Sequence, residues 1–215
     1  MSKEHSLQIR EAGVIAVLEI EELRHAVPLA RALLSGGVSA IELTLRTPVA
    51  MDAARAILAE VPEMMLGLGT VLTTEQVKKA AGIGVEFAVA PGCNPRIIAA
   101  AREYNLSFAP GIVTPSDIEI AIEGGCKVLK YFPAESSGGI RHLESMAGPY
   151  SYLGITYIPL GGLNIDNVRP YLESKLVCAL GGSWLAKRQI IREEKWKLIT
   201  QNAIGIRSLI NEIRK

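Results

Sequence analysis

The sequence predicts an α/β protein folded as a TIM (β/α)8 barrel, with an extra helix before the first strand. Three observations carry this. Short apolar runs alternate with amphipathic stretches eight times, at a spacing of roughly 20–25 residues. Hydrophobic content is 49% and aromatic content only 5%, the aliphatic balance that suits buried parallel strands. The first strand-to-helix turn, Leu18-Glu19-Ile20-Glu21, holds no glycine, so the nucleotide fingerprint expected of an open doubly wound sheet is missing. Nothing in the 215 residues reads as a linker or low-complexity stretch, so residues 1–215 are expected to form one domain.

The extra helix is placed at Lys3–Ala12. Strand Val14–Leu18 leads to helix Glu22–Ser35, whose Leu23, Val27, Ala30, Leu33 and Leu34 fall on one stripe. Strand Ala40–Leu45 leads to helix Pro48–Glu60, with Thr47 as N-cap and a proline early in the first turn. Strand Met65–Thr70 leads to helix Thr74–Ala81. Strand Phe87–Ala90 leads to helix Pro95–Glu103, capped by Asn94. Strand Ser107–Ile112 leads to helix Pro115–Glu123, where Thr114 repeats the device. Strand Val128–Phe132 precedes helix Ile140–Ala147, and strand Thr156–Leu160 precedes helix Ile165–Leu172. Strand Val177–Leu180 and a long helix, Trp196–Arg214, finish the chain.

Composition excludes several classes. Net charge is +1, with acids and bases spread along the chain, and no basic or aromatic-interleaved patch points to nucleic acid. Cys93, Cys126 and Cys178 are odd in number and scattered, which argues against a disulfide framework or structural zinc and fits a reducing cytosol. The start Met1-Ser2-Lys3-Glu4-His5 lacks the apolar core of a signal peptide. No apolar run is long enough to span a membrane. A cytoplasmic enzyme with no membrane partner is the expectation.

Chemistry in such a barrel sits at the C-terminal ends of the strands. The second strand ends Glu42-Leu43-Thr44-Leu45-Arg46, where alternation puts Glu42, Thr44 and Arg46 on one face. The third ends Gly67-Leu68-Gly69-Thr70 and the fourth Ala90-Pro91-Gly92. The sixth holds Lys130 on one face with Val128 and Phe132. An ammonium on an apolar face is expensive to keep charged, and a neutral amine is a nucleophile toward carbonyl carbon. Alternatively, Lys130 snorkels at a strand end or pairs with a carboxylate. Glu42 and Arg46 could equally form a structural ion pair, and Thr70 could be an ordinary strand-end hydroxyl. The last two strands end Gly161-Gly162 and Gly181-Gly182-Ser183. A lone glycine doublet is only a turn signal, but two in these loops suit a phosphate cradle, with Ser183 adding a hydrogen bond. His5, His25 and His142 lie away from the strand ends and lack metal-ligand spacing, so neither a metal nor a cofactor is expected.

A buried amine, a carboxylate, an arginine fork and a phosphate cradle together suit a phosphorylated keto acid. The segments Glu42-Leu43-Thr44-Leu45-Arg46-Thr47, Gly69-Thr70-Val71-Leu72, Pro91-Gly92, Pro110-Gly111, Lys130-Tyr131-Phe132-Pro133-Ala134-Glu135, Gly138-Gly139, Ala147-Gly148-Pro149 and Gly181-Gly182-Ser183-Trp184-Leu185 run through nearly the whole chain. In these the chain closely resembles the bacterial 2-keto-3-deoxy-6-phosphogluconate (KDPG) and 4-hydroxy-2-oxoglutarate (KHG) aldolase family. The resemblance implies a metal-independent class I aldolase that forms a Schiff base. Lys130 would form the imine and Glu42 would move protons. Arg46 and Thr70 would hold the pyruvate carboxylate, Phe132 would pack on the pyruvyl part, and Pro91 would wall the pocket. Gly161, Gly162, Gly182 and Ser183 would bind phosphate. A homotrimer is implied as well.

One position departs from the family pattern. Leu160 stands where a threonine commonly precedes the glycine pair. The missing hydroxyl bears on the preference between the gluconate-derived substrate and its galactonate-derived C4 epimer. Two other readings remain: a sugar-phosphate isomerase or epimerase, which leaves Lys130 without a task, and a non-catalytic barrel that senses a phosphometabolite.

Overall fold

The computed structural model describes residues 3–214. The helix α1 (Lys3–Ala12) stands where the sequence places it. Strands β1 (Val14–Leu18), β2 (Ala40–Thr44), β3 (Met65–Gly69), β4 (Phe87–Val89), β5 (Phe108–Ala109) and β9 (Leu180–Gly182) form a six-stranded sheet in the order β5-β4-β3-β2-β1-β9. Strands β6 (Gly111–Ile112), β7 (Val128–Tyr131) and β8 (Thr156–Pro159) form a three-stranded sheet. Every pairing within them is parallel.

Pro110 divides the predicted strand Ser107–Ile112 between the two sheets, since proline has no N–H for a ladder. Its carbonyl still accepts from Lys130 N at 2.9 Å, while Ala109 O on the other side accepts from Ala90 N at 3.4 Å. The predicted last strand, Val177–Leu180, is displaced. Val177 makes one isolated parallel bridge with Tyr157, and Cys178 N donates to Tyr157 O at 3.0 Å. Regular pairing begins only at Leu180, with Gly181 opposite Ile15 and Gly182 opposite Ala16. These two glycines are therefore strand residues, where a turn was expected. A Cβ on Gly181 would lie 2.1 Å from Leu160 Cγ, and one on Gly182 would lie 1.8 Å from the Trp184 ring. Close packing, rather than a left-handed turn, requires them.

Helices α2 (Ala26–Ser35), α3 (Ala50–Glu60), α4 (Thr74–Ile83), α5 (Pro95–Glu103), α6 (Pro115–Glu123) and α7 (Gly139–Ala147) follow the predicted order. Their starts differ where polar side chains find other partners. Thr47 donates its hydroxyl to Ile20 O at 2.6 Å, so it caps nothing, and α3 begins later than expected. Thr73 caps α4 in a reciprocal capping box with Gln76. Asn94 and Thr114 cap α5 and α6 as expected. The stretch ahead of α2 is a 3-10 turn, Leu23–His25, and Leu23 leaves the apolar stripe for solvent. Helix α8 (Arg169–Glu173) is much shorter than the predicted Ile165–Leu172. Asn164 Oδ1 accepts from Asp166 N at 2.9 Å and Asn167 Oδ1 from Asn164 N at 2.8 Å, which turns the backbone away from a helix. A short α9 (Arg188–Arg192) was not foreseen; α10 (Trp196–Ile213) was. Thr200 of α10 donates to Ala32 O of α2 at 2.8 Å.

Strand alternation builds two apolar layers. Outward residues such as Val14, Ala16, Ile41, Leu43, Leu66 and Leu68 pack beneath the helices. Residues of the opposite parity, Ile15, Ala40, Phe87, Val128 and Ile158 among them, form a second cluster with Ile9 and Ala12 of α1. Glu42 shares parity with Ala40, and Lys130 with Val128, so both enter this inner layer. Among the described residues, no helix is long and apolar enough to cross a membrane.

Candidate active site

Lys130 of β7 and Glu42 of β2 come from different sheets and lie 88 residues apart, yet Nζ donates to Glu42 Oε1 at 2.9 Å. Both are almost sealed from solvent, Lys130 at 4% and Glu42 at 2% exposure. The carboxylate partner that the sequence left as an alternative for Lys130 is thus Glu42, and Glu42 does not pair with Arg46. Breaking such a pair by removing one partner strands a buried charge. Room for the pair comes from Gly69, where a Cβ would lie 2.2 Å from Glu42 Oε1. Val128 packs in the same inner layer, and Nζ sits 5.3 Å from the centroid of the Phe132 ring.

Thr70 follows Gly69 with φ +59°, a left-handed backbone that is costly for a β-branched residue. The strain presents its hydroxyl to Arg46, whose Nε donates to Thr70 Oγ1 at 3.0 Å. On its other side, Arg46 Nη1 lies 3.9 Å from Glu19 Oε2. Arg46 and Ser183 line one cavity of about 260 Å³ together with Thr44, Glu19, Lys187 and Arg188. Glu19, Lys187 and Arg188 were not singled out in the sequence, although Glu19 directly follows β1 and obeys the strand-end rule. Pro91 lies beside Gly111, where a Cβ would come 2.2 Å from the proline carbonyl oxygen.

Gly161 and Gly162 do form a turn, with φ +99° and +82°. Three side chains outside the predicted set brace it. Asn167 Nδ2 donates to Gly162 O at 3.0 Å and to Glu135 Oε2 at 3.2 Å, and Tyr171 donates its hydroxyl to Glu135 Oε1. Glu135 N donates to Gly161 O at 3.0 Å. Leu160, 4% exposed, lies in the inner layer over Gly181. Of the expected phosphate group, Gly161 and Gly162 are in this turn, Gly182 is the last residue of β9, and Ser183 is exposed just after it. The histidines serve elsewhere: His142 Nδ1 is 3.0 Å from the Tyr131 hydroxyl, and His25 lies 3.3 Å from Glu194.

A curled parallel sheet with a buried amine–carboxylate pair inside it belongs to an α/β enzyme of TIM-barrel kind. Comparison with known proteins narrows the class. The family model "Aldolase: KDPG and KHG aldolase" matches residues 6–202. The KHG/KDPG aldolase of Escherichia coli strain K12 is 41% identical over 190 residues, covering 88% of each chain. A solved KDPG aldolase from Legionella pneumophila, with pyruvate captured as a covalent carbinolamine intermediate, superposes with TM-score 0.89 at 33% identity, covering 94% of this chain and 97% of that one. The Zymomonas mobilis KDPG aldolase with 3-phosphoglycerate gives 0.85 at 32% identity, covering 95% of both chains. The chain belongs to the KDPG and KHG aldolase family.

Proposed function

We propose that this chain is a class I aldolase that cleaves KDPG to pyruvate and glyceraldehyde 3-phosphate, and KHG to pyruvate and glyoxylate. The buried contact of 2.9 Å between Lys130 and Glu42 carries the reading. Glu42 is the acceptor at hand for the proton that Nζ must shed before it attacks the C2 ketone. Loss of water from the carbinolamine gives a protonated imine. That imine draws in the electron pair of the C3–C4 bond as the C4 hydroxyl loses its proton, so the aldehyde leaves and an enamine remains. Protonation at C3 and hydrolysis then release pyruvate and restore the amine. Glu42, directly or through a water, is placed to move these protons. Arg46 and Thr70 take the carboxylate, Arg46 by its guanidinium fork. Phe132 covers the pyruvyl part and Pro91 walls it. The Gly161-Gly162 turn, Gly182 and Ser183 take the phosphate. The carbinolamine captured in the Legionella enzyme supports this order of events.

The architecture that goes with the reading is one domain, a closed (β/α)8 barrel with α1 beneath it. The Pro110 hinge between sheets and the bond from Cys178 to Tyr157 support it. The homotrimer rests on the resemblance, and the cytoplasmic setting on the scattered cysteines. An imine makes a Lewis acid unnecessary, so pyruvate release from KDPG should survive exhaustive treatment with EDTA. Activity lost to EDTA and recovered with a divalent ion would place the chain in the metal-dependent class.

Leu160 offers the substrate no donor or acceptor, and an apolar wall discriminates weakly against hydroxyl epimers. Discrimination between KDPG and its C4 epimer should therefore be slight. Leu160→Thr should sharpen it by about 1 kcal/mol, one net hydrogen bond. Because Leu160 packs over Gly181, the same change should cost about 2 kcal/mol of stability. The checks are kcat/KM for the two epimers and thermal melting of both proteins. Strong selectivity in the unmodified enzyme, unaltered in the variant, would locate the preference elsewhere.

A further inference from the structure

The cavity lined by Arg46 and Ser183 is also lined by a carboxylate, Glu19. Glu19 is only 14% exposed and uses its two oxygens on two different arginines. Oε2 lies 3.9 Å from Arg46 Nη1, while Oε1 forms an ion pair with Arg188 Nη2. Arg188 Nη1 also lies 3.9 Å from Glu21 Oε1, and Glu21 Oε2 accepts from Arg192 Nη2 at 2.8 Å. The row therefore sets three guanidiniums, Arg46, Arg188 and Arg192, against two carboxylates, Glu19 and Glu21. Of the two arginines on Glu19, Arg46 holds it more loosely, at 3.9 Å, and the Arg46 side chain is 47% exposed.

We propose that Arg188 is a positioning residue that holds Glu19 away from Arg46, so that Arg46 stays free for the substrate carboxylate. The argument rests on the carboxylate-binding role given to Arg46 above. A tethered carboxylate beside Arg46 has a high effective concentration and always competes with a diffusing acid. Arg188 meets that competition by offering Glu19 the closer partner. Without Arg188, Glu19 has Arg46 as its one neighbouring guanidinium in the row and closes on it. Arg188 never touches substrate in this scheme. Its side chain is 54% exposed at the start of α9, so truncating it leaves the core intact.

The test measures the half-saturating pyruvate concentration for borohydride trapping. Pyruvate carries no phosphate, so direct contact of Arg188 with a distal phosphate plays no part. Arg188→Ala should raise that concentration roughly five- to tenfold while the trapping rate at saturation stays within about twofold, a size typical of coupled charged neighbours. Adding Glu19→Gln to the Arg188→Ala protein should bring it back to within about twofold of the unmodified enzyme, because the competing charge is gone. Arg188→Lys, which keeps the charge but not the fork, should fall between the two. No rise in Arg188→Ala, or a rise that Glu19→Gln leaves untouched, overturns the proposal. Arg46→Ala serves as the control. A rise there with none in Arg188→Ala sinks the proposal alone, whereas no rise in either removes the carboxylate assignment beneath it.

Discussion

Replacing Lys130 with methionine should abolish both aldol cleavage and pyruvate-dependent labelling by borohydride. Methionine keeps the length and apolar bulk of the lysine stem but has no amine, so the imine cannot form. Loss of a covalent nucleophile removes activity by more than about 10⁴-fold. In the unmodified protein, pyruvate and borohydride should add one reduced pyruvyl group, and peptide mapping should find it on Lys130. The variant also leaves Glu42 buried without its partner, which costs about 3–5 kcal/mol for a sealed pair. A Lys130→Met/Glu42→Gln protein separates the two effects. It should regain much of the thermal stability and none of the activity. A label on another lysine, or cleavage surviving in the single variant, would defeat the assignment.

How far this centre could be read in advance depended on which physical signal each residue carries. Lys130 stood out because a charge inside an alternating apolar strand violates the pattern that burial imposes. Glu42 was legible for the same reason, but its partner was not. Nothing in local sequence says that β2 and β7 face each other across an interior; only the closing curvature of the sheets brings the two together. The glycine doublets show a different limit. Glycine marks a positive φ and a close approach alike, so Gly161-Gly162 and Gly181-Gly182 look the same in sequence. One is a turn braced by Asn167 and Glu135; the other is a strand on which Leu160 and Trp184 lie. The predicted helix at Ile165 failed because Asn164 and Asn167 satisfied backbone amides in a turn, a choice that apolar spacing does not register. Glu19 obeys the strand-end rule, but a glutamate in a polar turn carries no local signal of the arginines that meet it. Arg188 resembles any solvated surface charge, and only the cavity gives it a context.

Glu42→Gln and Arg46→Ala should fail in different ways. Glutamine matches glutamate in shape, fits the space that Gly69 leaves, and can still accept a hydrogen bond from Nζ through its amide oxygen. It cannot take up and return protons. If Glu42 moves protons, kcat for KDPG cleavage should fall by roughly 10²–10⁴, while borohydride trapping with pyruvate slows but stays detectable. Arg46 touches Thr70 and Glu19 rather than the amine, so its loss should act on binding. Arg46→Ala should raise KM for the acid substrate, with the larger part of its effect on KM. Steady-state kinetics on the two variants, paired with trapping rates, separate the cases. Two equal, purely KM effects would mean that Glu42 and Arg46 act as a structural pair. The geometry opposes that outcome, since Glu42 gives its buried oxygen to Lys130 while Arg46 turns away to the strained Thr70.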